Sequence, residues 1–558
     1  MANENHFVYN PSTVDISRSK FMINSFWKGD IYHGDLVPVE IRRVMPGDSA
    51  KYEISSFIRT ATPPIAPFMD TVRLSFAAFY VPERLVWDKE KEFLGENREG
   101  YGIQSNVLAP RTIRSLVNKS DAATTYKRSL ATYLGIVAQK TQIHNYSPIS
   151  LNPLRSYLQV YNDWFRNENF MAPYLWNHNE TGDAVSRSVA TLGGTSLGLG
   201  LTLPKVCKQL DRFTSCLPWS QKGNAVLLPL GATAPVGALG SDGDFVQGGM
   251  EVVYGPELGD PLGVNISTGT VGVDLGIRTN GTVQVLSADE GGSGLVADLS
   301  QATAATVNQL RLAFATQRYL EQLARSGSKY REYIKGMFGV NIGDTTAQMS
   351  EYLGGMTIEL NVDQVLQSTG YAASGSTTLG APGATSTSAS TGYLFTKSFV
   401  EPGFIVIVAY TKHNRSYGQG IDEIYQKHDI LEEYNPKFAN IGEQAIKTNC
   451  LYFSGESADD DDRFGFQEAW SEYKHARDVI VGSLAPSNSS AYNFWSLADN
   501  YSEAPQLSSD FLTEDRTNIA RCLSGGQASP DYFLDIKFKR TFVRPMPLYD
   551  IPGLIDHH

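Results

Sequence analysis

The stretch Thr71-Val-Arg-Leu-Ser-Phe-Ala-Ala-Phe-Tyr-Val81 decides how this chain folds. Val72, Leu74, Phe76 and Tyr80 fall on one face of an extended segment, and Phe79 and Val81 make the other face apolar as well. A strand that is apolar on both faces needs a covering layer on each side, so it belongs inside a layered β structure. Working outward, Leu36 to Arg42 alternates Val37, Val39 and Ile41 with Pro38, Glu40 and Arg42, the pattern of a half-buried strand. The turn residues Pro46-Gly47-Asp48 follow it. Phe404 to Tyr410 is a continuous apolar run of strand length and reads as central. Tyr532 to Lys539 alternates Leu534, Ile536 and Phe538 with Asp535, Lys537 and Lys539, giving a strand with a mostly basic outer face. The expected fold is therefore mainly β, an antiparallel sandwich or jelly roll that pairs strands from near both ends of the chain.

Helices are expected between these strands. Leu154, Tyr157, Leu158, Tyr161 and Phe165 form a stripe at helical spacing over Leu154 to Phe165. Ala302 to Ala324 is the longest such segment, with Val307, Leu310, Phe314, Leu320 and Leu323 on one side and Ser326-Gly327 as a stop. Ser328 to Phe338 should close at Gly339, and Phe466 to Ala476 reads as helical on Phe466, Ala469, Trp470 and Tyr473. Two stretches stand apart. Gly231 to Ser300 is Gly-rich, with Arg278 its one basic residue against nine acids, and Asn280-Gly281 between alternating runs signals a hairpin. Ser368 to Gly392 is rich in Ser, Thr, Gly and Ala and reads as a mobile surface loop. The expected organisation is residues 1–224 as the N-terminal part of the frame with a helical insertion, and 225–300 as an acidic β-rich surface insertion. Residues 301–558 carry helices, the 368–392 loop and the rest of the frame.

The bulk numbers narrow the function. In 558 residues there are 47 Lys and Arg against 59 Asp and Glu, a net charge of −12. A protein devoted to gripping nucleic acid is usually basic, so any genome contact must be local or shared with a basic partner. Arg18, Lys20 and Lys28 are candidate genome contacts, weighed against a bland solvated surface. Four cysteines (Cys207, Cys216, Cys450 and Cys522) without a CxxC pair point to free thiols in a reducing cytoplasm. The N-terminus carries no signal pattern, and no apolar run approaches the length of a spanning helix. No phosphate loop, HExxH or GxSxG string occurs. The acidic run Asp459 to Asp462 lacks the spacing of a calcium loop. Cys207 and Cys216 lack a His pair for zinc, and His557-His558 is at most a weak site. The aromatic groups Trp164 with Phe165, Trp470 with Tyr473, and Tyr492, Phe494 and Trp495 suit a core or a subunit interface better than base stacking. No catalytic, cofactor or metal residues are assigned.

Several strings occur in a telling order. They are Val81-Pro-Glu-Arg-Leu-Val-Trp87, Phe213-Thr-Ser-Cys-Leu-Pro-Trp-Ser-Gln-Lys-Gly223, Glu351-Tyr-Leu-Gly-Gly355, Gly442-Glu-Gln-Ala445 and Phe464-Gly-Phe-Gln-Glu468. Arg544-Pro-Met-Pro-Leu-Tyr549 and Pro552-Gly-Leu-Ile-Asp-His557 close the chain. This set resembles the major capsid proteins of the Microviridae, closest to the gokushovirus-like branch. Cys216 stands where a small residue is expected in that family, and His558 where an aromatic one is. The resemblance implies an eight-stranded antiparallel jelly roll with long insertions and sixty copies in a T=1 shell around circular single-stranded DNA. It also implies an internal scaffolding protein, a small basic DNA-binding protein, assembly in the bacterial cytoplasm, and a threefold protrusion at about Ala225 to Ser300 that meets a bacterial receptor. It implies no cofactor and no membrane insertion. The alternative is a β-rich carbohydrate-active enzyme or lectin, which needs two facing carboxylates in a cleft.

Overall fold

A computed structural model describes residues 17–96, 128–136, 149–176, 202–226, 306–366, 382–455, 462–486 and 492–549, with short segments in the intervals. The chain divides into two units, Met1–Ser220 with Ala324–His558, and Gln221–Leu323.

The first unit is built on two antiparallel sheets. The strands of these two sheets are β1 (Ser19–Met22), β2 (Ser25–Ile31), β3 (Val37–Val44), β4 (Ser49–Thr60), β5 (Val72–Pro82), β6 (Glu351–Leu360), β7 (Val362–Leu366), β8 (Pro382–Ser398), β9 (Gly403–His413) and β10 (Tyr532–Arg544). One sheet runs β1-β10-β4-β8-β7, with β2 on the same edge of β10 as β1; the other runs β6-β5-β9-β3. Register joins the two ends of the chain: Ser19 opposes Arg544 and Ile31 opposes Tyr532. On its other side β10 pairs β4 from Tyr532–Thr60 to Val543–Ser49.

The alternations read from sequence set which face is inside. In β10, Leu534, Ile536, Phe538 and Phe542 are buried while Phe533, Lys537 and Lys539 are exposed. In β4, Ala50, Tyr52, Ile54 and Ile58 point the same way. These side chains share one continuous core with Phe76, Ile405, Val406 and Ile407 of the second sheet. Burying each such side chain contributes about 1.5–3 kcal/mol, which makes this shared core the main support of the frame. An ion pair is set within it: Arg540 of β10 reaches Glu40 of β3 at 2.8 Å, and its guanidinium lies over the Phe538 ring. Glu40 is also held by Arg42 at 2.7 Å, so the carboxylate is met from both sheets.

β5 has both faces covered, as its sequence demands. Ala77 to Pro82 are buried without a break. The side away from the first sheet carries α1 (Asn152–Val160) and the wider turn that continues it over Tyr161–Phe165, whose Trp164 and Phe165 rings lie 5.6 and 5.9 Å from Phe79. The expected helix over Leu154 to Phe165 is thus present but loosens to i→i+5 pairing in its last turn. Pro153 at its start suits the fixed backbone angle of a first helical turn. The two sheets approach closely at Gly354 of β6, where a Cβ would sit 2.2 Å from the Leu394 carbonyl oxygen of β8. Only a residue without a side chain fits there.

Two expectations fail. Ser368 to Gly392 is not one surface loop: residues 382–392 form the first part of β8, and 367–381 lie outside the described residues. Low complexity hides a period of two made of small residues. Ala384, Ser386 and Ser388 turn inward, and the two serines bond the Asn361 backbone at 2.9 Å each, so polar side chains sit inside without loss. Phe466 to Ala476 is not a helix either. Arg463–Glu468 is a strand pairing Glu443–Lys447, Phe466 bridges to Leu217, and Trp470 turns the chain at φ +63° into a single turn over Ser471–Lys474. Cross-strand contacts there outweigh the helical spacing of the aromatic residues.

α2 (Val307–Arg325) and α3 (Tyr330–Phe338) lie where expected, and Gly339 closes α3 at φ +71°. The second unit contains two short three-stranded sheets. In one of them Leu275–Thr279 pairs Thr282–Leu286, the two strands that flank the expected Asn280-Gly281 turn; the turn itself lies outside the described residues.

Candidate functional site

The most concentrated polar chemistry in the fold is sealed inside it. His33 follows β2, His413 ends β9, and Glu514 lies in the segment leading to β10; all three side chains have no exposure. Glu514 Oε1 lies 2.8 Å from His33 Nε2 and 2.6 Å from His413 Nδ1. Arg415 grips the other oxygen at 2.6 Å and reaches Asp499 at 2.7 Å, and Lys208 also reaches Asp499 at 3.1 Å. The Arg415 guanidinium and the ring N–H groups hold Glu514 well below the usual carboxylate range against its burial. An ionised carboxylate only accepts, so each facing ring nitrogen donates to it. Burial, aided by the Arg415 charge, pushes His413 down to about 4, so its ring is neutral at pH 7.

Sequence reading assigned no metal residues, yet these three donors lie within 4.8 Å of one another. The two His–Glu514 separations are those of direct hydrogen bonds, and Arg415 already neutralises the carboxylate. The cluster ties four distant parts of the chain together. Its members are spread from residue 33 to residue 514, and that separation is why no motif announces it.

The second feature is outside. Between Ile421 and Gly442, Ile424, Tyr425, Ile430, Leu431, Tyr434 and Ile441 are all exposed, Ile430 at 82%. Scattered exposed apolar residues need no explanation, but a run of this density marks a protein–protein surface. The segment is nevertheless well fixed. Asp422, Asp429 and Asn435 each cap a short 3-10 turn, the last with Pro436 behind it. Ion pairs anchor it: Arg212 to Glu423 at 2.6 Å, Lys427 to Glu472 at 3.0 Å, and Arg477 to Asp422 at 3.5 Å. Between anchor and loop lies a cleft of about 320 Å³ that includes Arg212, Lys427, Leu431 and Trp470. α3 repeats the theme. None of its nine residues is buried, Tyr330 and Phe338 are exposed, and Glu332 fixes its start by accepting from the Ser328 and Lys329 amides. On α2 the apolar stripe leaves Val307, Leu310 and Phe314 exposed.

The remaining sequence candidates sort plainly. Trp164 and Phe165 pack on the core, Trp470 is buried, and Tyr473 and Tyr492 are exposed. All four cysteines are free thiols, three of them buried. Most of the run Asp459 to Asp462, and the terminal His557-His558, lie outside the described residues. No described helix is long and apolar enough to cross a membrane.

Rigid, capped and apolar outer loops on a β-sandwich describe a protein that works by contact. The profile of a family described as "Capsid protein (F protein)" matches residues 10–554. The chain belongs to this family. A capsid protein VP1 of Spiroplasma virus 4 is 32% identical over 532 residues, covering 93% of this chain and 92% of that one. The capsid protein VP1 of Bdellovibrio phage phiMH2K is 34% identical over 99% of this chain and 98% of its own length. That of Chlamydia phage 1 is 29% identical over 97% and 96%. The expected Microviridae kinship holds, and the chain is a structural capsid protein of the virion rather than an enzyme. The carbohydrate-active enzyme or lectin reading finds no support in these relatives.

Proposed function

We propose that sixty copies of this capsid protein form a T=1 icosahedral shell around circular single-stranded DNA, each copy built on an eight-stranded jelly roll. The strand order carries the reading. β2-β10-β4-β8 face β3-β9-β5-β6, so chain-consecutive strands repeatedly cross between the two sheets, which is the winding of a jelly roll. The apolar loop at 421–442 and the unburied α3 supply the surfaces that closed symmetry repeats many times. Assembly takes place in the bacterial cytoplasm with an internal scaffolding protein. A small basic DNA-binding protein offsets the net charge of −12. The acidic 225–300 segment forms the protrusion that meets the host receptor, and replacing Gly231 to Ser300 by a short linker leaves the frame folded while altering host attachment.

Electron microscopy and sedimentation of the chain co-expressed with its scaffold test this reading. At 61.3 kDa per copy, sixty copies make a protein shell of about 3.7 MDa. A chain that stays monomeric beside its scaffold overturns it.

A further inference from the structure

The outward face of the first sheet has a composition unlike the rest of the chain. Lys20, Lys28, Lys51, Arg59, Lys537 and Lys539 lie on it against Asp30, Glu53 and Asp535. With Asp363 of β7 on the same face, that is six cations to four acids, in a chain where acids outnumber cations 59 to 47. Lys28 takes up Asp535 at 3.6 Å and Lys51 takes up Glu53 at 2.8 Å. The Arg59 and Lys537 charges lie over rings instead, at 5.8 Å from Phe533 and 5.6 Å from Phe26.

The aromatic residues are placed between the charges by register. Phe26 opposes Lys537, Phe533 opposes Arg59, and Phe57 opposes Asp535, which Lys28 holds from the next strand. Phe26, Phe57 and Phe533 are 66, 42 and 40% exposed, although each could have been a polar residue on a solvated face. Two shallow depressions, of about 460 and 700 Å³, meet at Phe57 and share it and Asp535 as wall. The floor beside them is small: Ser55, Ala389, Ser390 and Thr391 leave the rings standing clear.

We infer that this sheet face is a contact surface for single-stranded nucleic acid, with the three phenylalanines as base-stacking platforms and Lys28, Arg59 and Lys537 as phosphate partners. The inference rests on the shell reading above and names the surface that such a shell turns toward its DNA. Exposed rings interleaved with cations on an antiparallel sheet suit unpaired bases, because every base has a π face and its phosphates follow at a regular step. Duplex DNA hides its bases, so only the cations would serve it. A second copy of this chain would bring further carboxylates and fits the surface less well.

The test uses the full-length chain and three probes: fluorescein-labelled oligodeoxythymidine, a duplex of equal length, and inorganic polyphosphate. Phe57→Leu should weaken oligodeoxythymidine binding about tenfold and leave polyphosphate binding unchanged. Lys537→Gln should weaken both and lower the slope of log affinity against log salt by about 0.7. Phe26→Leu, on an edge strand, repeats the stacking test if the Phe57 variant fails to fold. In DNA-filled particles, ultraviolet crosslinks should fall on this face. Equal oligodeoxythymidine affinity for the Phe variants and the parent overturns the inference, as do crosslinks confined to other surfaces. Particles that form normally while crosslinks lie elsewhere sink this inference and spare the shell. Absence of particles from the parent chain sinks the shell reading itself.

Discussion

Acid should loosen this capsid protein through one buried ring. The His413 ring sits between Glu514, Arg415 and His33, and its folded value is about 4 against an ordinary 6.5. Between those two values the unfolded chain holds a proton at this position that the folded chain does not. Stability from this group is therefore complete above pH 6.5 and is lost as pH falls toward 4. The whole shift corresponds to about 3 kcal/mol, of which about 2 kcal/mol is lost between pH 7 and pH 5. His178, pushed down by burial, adds to the loss in the same window. Glu514 and Asp499 are held low by Arg415, so their share is lost only as acid reaches the carboxylate range. Replacing His413→Asn keeps an N–H near the Nδ1 position and removes the titration. Urea unfolding of the unassembled chain, followed by tryptophan fluorescence at pH 7 and pH 5, measures the difference. The parent should lose about 2 kcal/mol more than the variant over that interval. Equal losses would refute the argument and place the acid sensitivity elsewhere.

Three further outcomes follow from the geometry. Ile430→Asp, at a position 82% exposed, should leave the unfolding midpoint of the free chain within about 0.5 kcal/mol while abolishing particles in light scattering. Glu40→Gln strands the buried Arg540 and should cost about 3–5 kcal/mol, read as a lowered urea midpoint; a change under 1 kcal/mol would mean that water reaches the pair. Burial pushes the thiols of Cys216, Cys450 and Cys522 up to about 12, so iodoacetamide should label them only after denaturation, as peptide mapping would record.

The frame was legible in sequence wherever burial alternates strongly. Val72 to Val81, Phe404 to Tyr410 and Tyr532 to Lys539 each declared their faces, because large apolar side chains had to be put somewhere. β8 was not legible, since its inward residues Ala384, Ser386 and Ser388 are small and polar, and their partners at Asn361 are known only once folded. The helix read over Phe466 to Ala476 failed for a related reason. Four aromatic and apolar residues fit helical spacing, but their actual neighbours, Leu217 and Glu443–Lys447, come from elsewhere in the chain. Of the functional surface, the basic outer face of β10 was visible as Lys537 and Lys539. The aromatic platform was invisible until register brought Phe26 of β2, Phe57 of β4 and Phe533 of β10 onto one side. The His33, His413 and Glu514 cluster left no local signal at all.

The pairing of Ser19 with Arg544 also sets a clock. A ribosome adds roughly 5–20 residues per second, so β1 and β2 emerge roughly 25–100 s before β10 exists to pair with them. Until β8 is made β4 lacks both of its neighbours, and until β10 arrives it still lacks one. The frame closes only when the last strand arrives, so the chain cannot present finished contact surfaces while still being made. A chain that stops before Tyr532 lacks the strand that joins β1 and β2 to β4.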